Sequence, residues 1–294
     1  MTDSLDALRI RIEGANDLQA VVRTMKALSA SNITEYENAV QALNSYYDTV
    51  QQGLSVCLQQ DKLRQTTLPR KPALTSAALI VFGSDQGLVG QFNDSLAQYV
   101  REQLDHMSSQ HKVQYKIWVV GERMYGRLQD AGLPLESCFS VPNSVAGVTP
   151  LIADLLLASE HVWGLNNQCP LYLFHHQPST QPGQYQAYMR KLLPLDYQWQ
   201  KALSARAWSG PSLPETLGTT SLTLRALIRE YLFVSIYQSC AESLASENAS
   251  RLLAMQRAQK NIEEMLANLQ QQYHQQRQET IDAELFDVVA GGNL

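Results

Sequence analysis

Both ends of this chain are long stretches nearly free of the residues that stop a helix, and this limits the fold more than any other feature. No proline precedes Pro69, and the only glycines before it are Gly14 and Gly53. At the other end, the stretch from Thr219 to Ala290 contains neither. Proline removes a backbone donor and clashes with the preceding turn, and glycine costs backbone entropy, so their absence lets a helix run on. One helix is predicted from about Ser4 to about Asp61 and another across the C-terminal stretch. At ~1.5 Å per residue these would be about 85 Å and about 100 Å long.

The apolar pattern says what these helices need. From Leu18, apolar or small residues return at Val22, Met25, Ser29, Asn32, Tyr36, Ala39, Leu43, Tyr46 and Val50, in alternating steps of four and three. Leu252, Met255, Gln259, Ile262, Leu266, Leu269 and Tyr273 repeat the rhythm near the C-terminus. Each helix carries one stripe that wants a partner, and pairing the two ends antiparallel satisfies both. An ordinary helical bundle shows the same periodicity and stays open as an alternative. Ser29 and Asn32 stand where larger apolar residues would fill the seam, so the pairing is expected to be thin there, with polar groups that can fix register.

The middle differs in kind. Short apolar runs at Ala77–Phe82, Ile117–Val120 and Leu171–Phe174 alternate with helix-like segments near Ser95–Ser108, Glu122–Ala131 and Pro150–Leu165. Alternation of this sort predicts a small Rossmann-like α/β domain with a largely parallel sheet. Pro69 and Pro72 mark its entrance and the run from Ser209 to Pro214 its exit. The expected organisation is a coiled-coil helix over 1–68, a central α/β domain over 69–215 and a second coiled-coil helix over 216–294. The fold class is α/β, with a long antiparallel coiled coil bracketing the small domain.

Composition removes several classes of function. Of 294 residues, 45% are hydrophobic and 17% charged, which suits a folded chain, and a net charge of −5 argues against nucleic acid as partner. Cys57, Cys138, Cys169 and Cys240 lie far apart with no metal-site spacing, and read as small apolar residues in a reducing compartment. The start, Met1–Asp6, lacks the marks of a secretory or transit segment, and no apolar run is read as reaching the ~18 residues of a membrane span. The chain is therefore expected on the cytoplasmic side, reaching a membrane only through partners.

The segment Gly83-Ser84-Asp85-Gln86-Gly87-Leu88-Val89-Gly90-Gln91-Phe92-Asn93 follows a strand and precedes a helix, where a phosphate-cradling loop would sit. Such a loop needs Lys and then Ser or Thr after its last glycine, and here Gln91-Phe92 follow Gly90. A structural turn with glycines at positive φ is the reading, and no cofactor is expected. Asp85 reads as a turn residue. His175-His176 has no ligand partner at a useful spacing, so packed or exposed imidazole is expected rather than a metal site. No catalytic residues are assigned.

Ser84–Asn93 resembles a Ser-Asp-Arg-Gly-Leu-Cys-Gly-Gly-Phe-Asn segment of the F-type ATP synthase gamma subunits, with Gln86, Val89 and Gln91 as departures. On the C-terminal stretch, Tyr237-Gln238, Glu242–Arg251 and Ala254-Met255 resemble that family's long signature, and Gln276–Leu285 is similar to its Ala-Arg-Gln-Ala-Ser-Ile-Thr-Gln-Glu-Leu. Arg23–Ser31 resembles its N-terminal Lys-Ala-Met motif, with Met25 on the methionine and Asn32 in place of a common lysine. The likeness is thin from about Gln103 to Pro214, where Lys191–Leu195 is the remaining match. These departures suggest a diverged branch, such as an alternate-type sodium- or proton-translocating ATPase.

The resemblance implies a non-catalytic rotor: the central-stalk gamma subunit of a rotary ATP synthase or ATPase. It would couple ion flow through a membrane ring to chemistry on other subunits. Implied partners are the alpha and beta subunits of the catalytic ring, the epsilon subunit and the membrane c-ring, at the cytoplasmic face of a bacterial inner membrane. Implied partner contacts are Arg277, Gln278 and Glu284 near the C-terminus, and Met25, Glu247 and Arg251 where a catalytic subunit presses on the shaft. Glu247 and Arg251 are also spaced for an intrahelical pair worth about 0.3–0.5 kcal/mol. The final Val288-Val289-Ala290-Gly291-Gly292 is low in charge, as suits a tip in an apolar sleeve. A static coiled-coil scaffold and a nucleotide-binding α/β enzyme are the alternatives.

Overall fold

A computed structural model describes residues 5–61, 76–108, 113–163, 169–179, 184–206, 208, 212, 214 and 218–291. The expected entrance to the domain at Pro69 and Pro72, most of its exit at 209–214, and the side chains from position 287 onward lie outside the described residues. The elements run α1 (Leu5–Asp61), β1 (Ser76–Phe82), α2 (Phe92–Ser108), β2 (Gln114–Val120), α3 (Glu122–Asp130) and β3 (Leu135–Phe139). After these come α4 (Val145–Trp163), β4 (Leu171–Pro178), β5 (Tyr185–Leu193), α5 (Tyr197–Ser204) and α6 (Thr220–Gly291). The chain divides into two compact units, one of residues 1–31 with 251–294 and one of residues 32–250.

In the first unit, α1 buries Leu8, Ala15, Val22 and Ser29, each seven residues from the last. Its partner stretch of α6 buries Met255 and Leu266 and half-buries Leu252, Gln259, Ile262, Leu269 and Tyr273, the full inward set read from the pattern. Lys26 Nζ donates to Gln259 Oε1 at 3.2 Å across the pair. A strict seven-residue repeat on a 3.6-residue helix is kept facing a partner only by left-handed wrapping. The residue three places on is not always the one turned inward: Leu18 is 55% exposed, and Gln19 beside it is half-buried. Positions three and four along flank the same line, and the partner helix lies toward the fourth. Ser29 fills its buried place by donating its hydroxyl to Met25 O at 2.8 Å, so this narrow point in the seam leaves no hydroxyl unsatisfied.

In the second unit the helices run antiparallel: Asn32 meets Asn248, Tyr46 meets Glu230, and Gly53 lies against Leu227. Asn32 Nδ2 donates to Asn248 Oδ1 at 3.4 Å, a polar pair of the kind that sets register. Tyr46, expected in the seam, is outside it and instead donates to Glu230 at 2.7 Å. Tyr47, the next residue along, faces inward against Tyr231.

The sheet order is β3-β2-β1-β4-β5. β1 to β4 pair parallel, and β5 joins β4 antiparallel. Alternate residues of the strands feed two cores. Ala78, Ile80, Phe82, Leu171 and Leu173 pack with α1, α4 and α6, whereas Leu79, Val81, Ile117, Val119 and Phe174 pack with α2 and α3. Covered on both faces, β1, β2 and β4 read as continuous apolar runs. The edge strands β3 and β5 are mostly alternating exposed and half-buried residues, with Leu192 alone buried near the end of β5, which is why no apolar run marked them. α4 begins five residues before Pro150, and its stretch Val145–Val162 is long and apolar enough to cross a membrane by composition, contrary to the reading from sequence. Val148, Ile152 and Leu155 spend that apolarity against the sheet.

Candidate coupling surface

In an open parallel sheet, ligands settle beyond the carboxyl ends of the strands where the strand order reverses, here between β1 and β4. That place is taken by α6. Ser243 Oγ donates to Phe82 O at the end of β1, at 3.3 Å, and Ser246 Oγ donates to His176 O near the end of β4, at 3.3 Å. Ser250 Oγ donates to Val89 O in the glycine loop and meets the Tyr185 hydroxyl at 2.8 Å. Serines at 243, 246 and 250 share one helical face, and their short side chains let the helix approach the strand ends. From Tyr231 to Ser250 every residue of α6 is buried or half-buried. The crowding explains why this stretch is rich in Ser and Ala: anything larger would push the helix off the sheet.

The glycine loop is likewise closed on itself. Asn93 Oδ1 accepts from Ser84 N at 3.1 Å, and Asn93 Nδ2 donates to Ser84 Oγ at 2.8 Å. A phosphate loop aims its amides at a ligand, but the Ser84 amide is spent on Asn93. Asp85 does more than make a turn: its two oxygens accept Glu122 N at 2.9 Å and Val141 N at 2.8 Å, tying together the ends of three strands. The positive φ falls on Gly90 at 59° and on Leu88 at 62°, not on Gly87. Beside the loop is an open groove of about 500 Å³ lined in part by Asp94 and Arg127, which pair at 2.9 Å.

His175 and His176 are both packed, each 1% exposed. His176 Nε2 meets Ser95 Oγ at 3.2 Å and its ring lies 4.3 Å from that of Phe92. Burial, with the neighbouring His175, pushes its pKa down to about 3, so it is neutral at physiological pH. His175 Nε2 meets Glu242 Oε2 at 3.0 Å. Among the described residues no cluster of three metal-ligating side chains forms.

The residues marked from sequence as partner contacts fall into two sets. Glu247 is 5% exposed, inside the second unit; burial first, and then the Glu247 charge, raises the pKa of Cys240, and burial, ahead of the charges of Glu35, Cys240 and Glu247, pushes Tyr36 up to about 12. In the first unit Met25 and Arg251 are half-buried, and Arg277, Gln278 and Glu284 are exposed. Sequence reading missed an outward apolar stripe on α1 made by Ile10, Leu18, Val21 and Leu28, all more than half exposed. It also missed Ile281, Leu285 and Phe286 on α6, the last 74% exposed. Leu18 is read from sequence as part of the seam, and Leu28, Ile281 and Leu285 only as parts of family-like motifs. The signal was in the sequence: more apolar residues recur on α1 than one seam can use.

The ATP synthase chain of Granulibacter bethesdensis named as its gamma chain is 28% identical over 98% of this chain and 98% of the relative. That of Brevibacillus brevis is 26% identical over 100% and 99%. Among solved structures, the rotor of the Euglena gracilis mitochondrial ATP synthase matches with a TM-score of 0.63 at 14% identity, over 94% of this chain and 98% of the other. The family model described as ATP synthase matches residues 4–293, and the chain belongs to that family, among its gamma chains.

Proposed function

We propose that this chain is the central-stalk subunit of a rotary ATP synthase or ATPase, turning between a ring of alpha and beta subunits and a membrane c-ring, with an epsilon subunit beside it. It performs no chemistry. Its asymmetry stabilises different conformations of three identical catalytic sites, and rotation changes which site adopts which; linkage makes the drive reversible. The supporting observation is the unpartnered apolar surface of the first unit: Ile10, Leu18, Val21 and Leu28 on α1, with Ile281, Leu285 and Phe286 on α6. A chain that folded for itself alone would gain nothing from such a stripe, whereas a shaft inside a ring would bury it. The sheet contributes a domain whose ligand crevice is filled by its own helix, which favours a load-bearing role over a nucleotide enzyme. In this reading the chain is peripheral to the cytoplasmic face of a bacterial inner membrane, held there by its partners, with Arg277, Gln278 and Glu284 facing the ring.

The test combines the purified chain with alpha and beta subunits of the same source. The expected result is a complex whose ATPase depends on this chain and in which a bead attached to the second unit rotates during hydrolysis. Hydrolysis by the ring with no dependence on this chain, or a static bead in an active complex, would overturn the reading.

A further inference from the structure

Small residues line much of α6 in the second unit, set between larger buried ones such as Leu232, Ile236 and Leu244. Ser239, Ala241, Ser243, Ala245, Ser246 and Ser250 present short side chains to the surrounding elements, and apolar packing is non-directional, resisting separation better than sliding. A helix that passes torque to the domain around it needs bonds with a direction. The serine hydroxyls supply some, but they sit one bond beyond Cβ, close to the helix axis. Glu242 reaches two bonds further out, and a bond further from the axis bears the same torque with less force. Its carboxylate meets His175 Nε2 of β4 at 3.0 Å, with 1% of the histidine side chain and 19% of the glutamate side chain exposed.

The pair is braced from behind. Gln238, one turn earlier on α6, donates Nε2 to Glu242 Oε1 at 2.9 Å, and its own Oε1 accepts Arg190 Nη1 of β5 at 3.2 Å. Arg190 Nη2 reaches the Tyr47 hydroxyl of α1 at 3.4 Å. The ring of Tyr188 stands edge-on to His175 at 5.7 Å. A part-buried polar chain thus joins both long helices to the two strands at one side of the sheet. A buried polar contact is a poor stabiliser, because desolvation offsets much of what it gains, and an apolar pair of similar size can serve stability as well. Stability alone gives no reason to place one here.

We propose that His175 and Glu242 form the key that locks the α/β domain to α6 against rotation, and so act as positioning residues for energy coupling. This rests on the rotor reading above. The test uses the complete membrane-bound complex with His175→Leu, Glu242→Leu, the double variant and His175→Gln, which keeps a side-chain N–H for Glu242. Two quantities are read on the same vesicles: ATP hydrolysed and ions translocated per ATP. Each Leu variant is expected to keep hydrolysis within about twofold while translocation per ATP falls at least about threefold, the double variant losing no more than either single one. His175→Gln is expected to restore most of the ratio.

Unchanged translocation per ATP in assembled Leu variants would overturn the proposal, as would a His175→Gln variant no better than His175→Leu, which would make the ring's packing the cause. Should His175→Leu fail to assemble, the part-exposed Glu242 carries the test through Glu242→Leu. Failure of the rotor reading has a different signature: the unaltered complex would translocate ions or hydrolyse ATP without this chain.

Discussion

Gly83 and Gly121 stand just after β1 and β2, where the two loops cross at close range. A Cβ on Gly121, whose φ is +110°, would lie 2.7 Å from Ser84 N, and one on Gly83 would lie 2.2 Å from Met124 Cβ. Gly121→Ala combines a disfavoured backbone with contact against backbone, and is expected to destabilise the chain by at least about 3 kcal/mol. Gly126→Ala, inside α3 with open space around it, should instead add about 0.5–1 kcal/mol. Chemical denaturation of the two variants side by side checks both signs. A second expectation concerns His176, whose folded pKa of about 3 lies below the ordinary 6.5. The unfolded chain binds a proton there as pH falls below 6.5 and the folded chain does not, so the stability present above 6.5 is lost toward pH 3. Between pH 7 and pH 5 that loss is about 2 kcal/mol, and His176→Phe should flatten the difference in denaturant midpoint. A wild-type slope that persists in this variant would assign the titration elsewhere. The glycine loop was legible as a turn because it lacks a lysine. The partner of His175 was not, since Glu242 lies 67 positions away and only the folded sheet brings them together.

Among elements, the long helices were the most legible part of the chain because length, missing breakers and a heptad rhythm all agree. Their finer setting was not. Whether Leu18 or Gln19, and Tyr46 or Tyr47, turns inward depends on which side the partner helix lies, and a single-helix pattern carries no such information. β3 and β5 escaped notice because edge strands need only one apolar side. α6 between Tyr231 and Ser250 hides its burial for the opposite reason: where a helix is enclosed all round, small residues replace the apolar stripe. The antiparallel pairing in the second unit is open to direct test. Asn32→Cys with Asn248→Cys, in a Cys138→Ser background that removes the exposed native thiol, should be joined within one chain by a short bis-thiol reagent. Asn38→Cys with Asn248→Cys, one helix position exposed and well along α1, should not. Equal yields from the two pairs would remove the register that the Asn32–Asn248 contact sets.

At the scale of the whole molecule the informative surface is the one the chain leaves unused. Arg277 and Gln278 are exposed on α6, just beyond the inward set that ends with Tyr273 and the half-buried Gln276. Replacing both by Ala takes away little that holds this chain together, so the free subunit should stay within about 0.5 kcal/mol of its original stability. In the ring of catalytic subunits proposed above, the same side chains would meet a partner, and charge-assisted hydrogen bonds of that type are worth about 1.5–3 kcal/mol each. If these contacts help set the order in which three sites change shape, losing them raises a rotational barrier. Each 1.4 kcal/mol then lowers turnover about tenfold. The measurement is steady-state ATPase of the assembled complex beside thermal unfolding of the free variant. A large fall in turnover with an unmoved unfolding midpoint places the two residues at the working contact; a parallel fall in both makes them part of the fold. Unchanged turnover in a correctly assembled ring would strip them of that role and leave the apolar stripe of Ile281, Leu285 and Phe286 as the surface through which the shaft meets its ring.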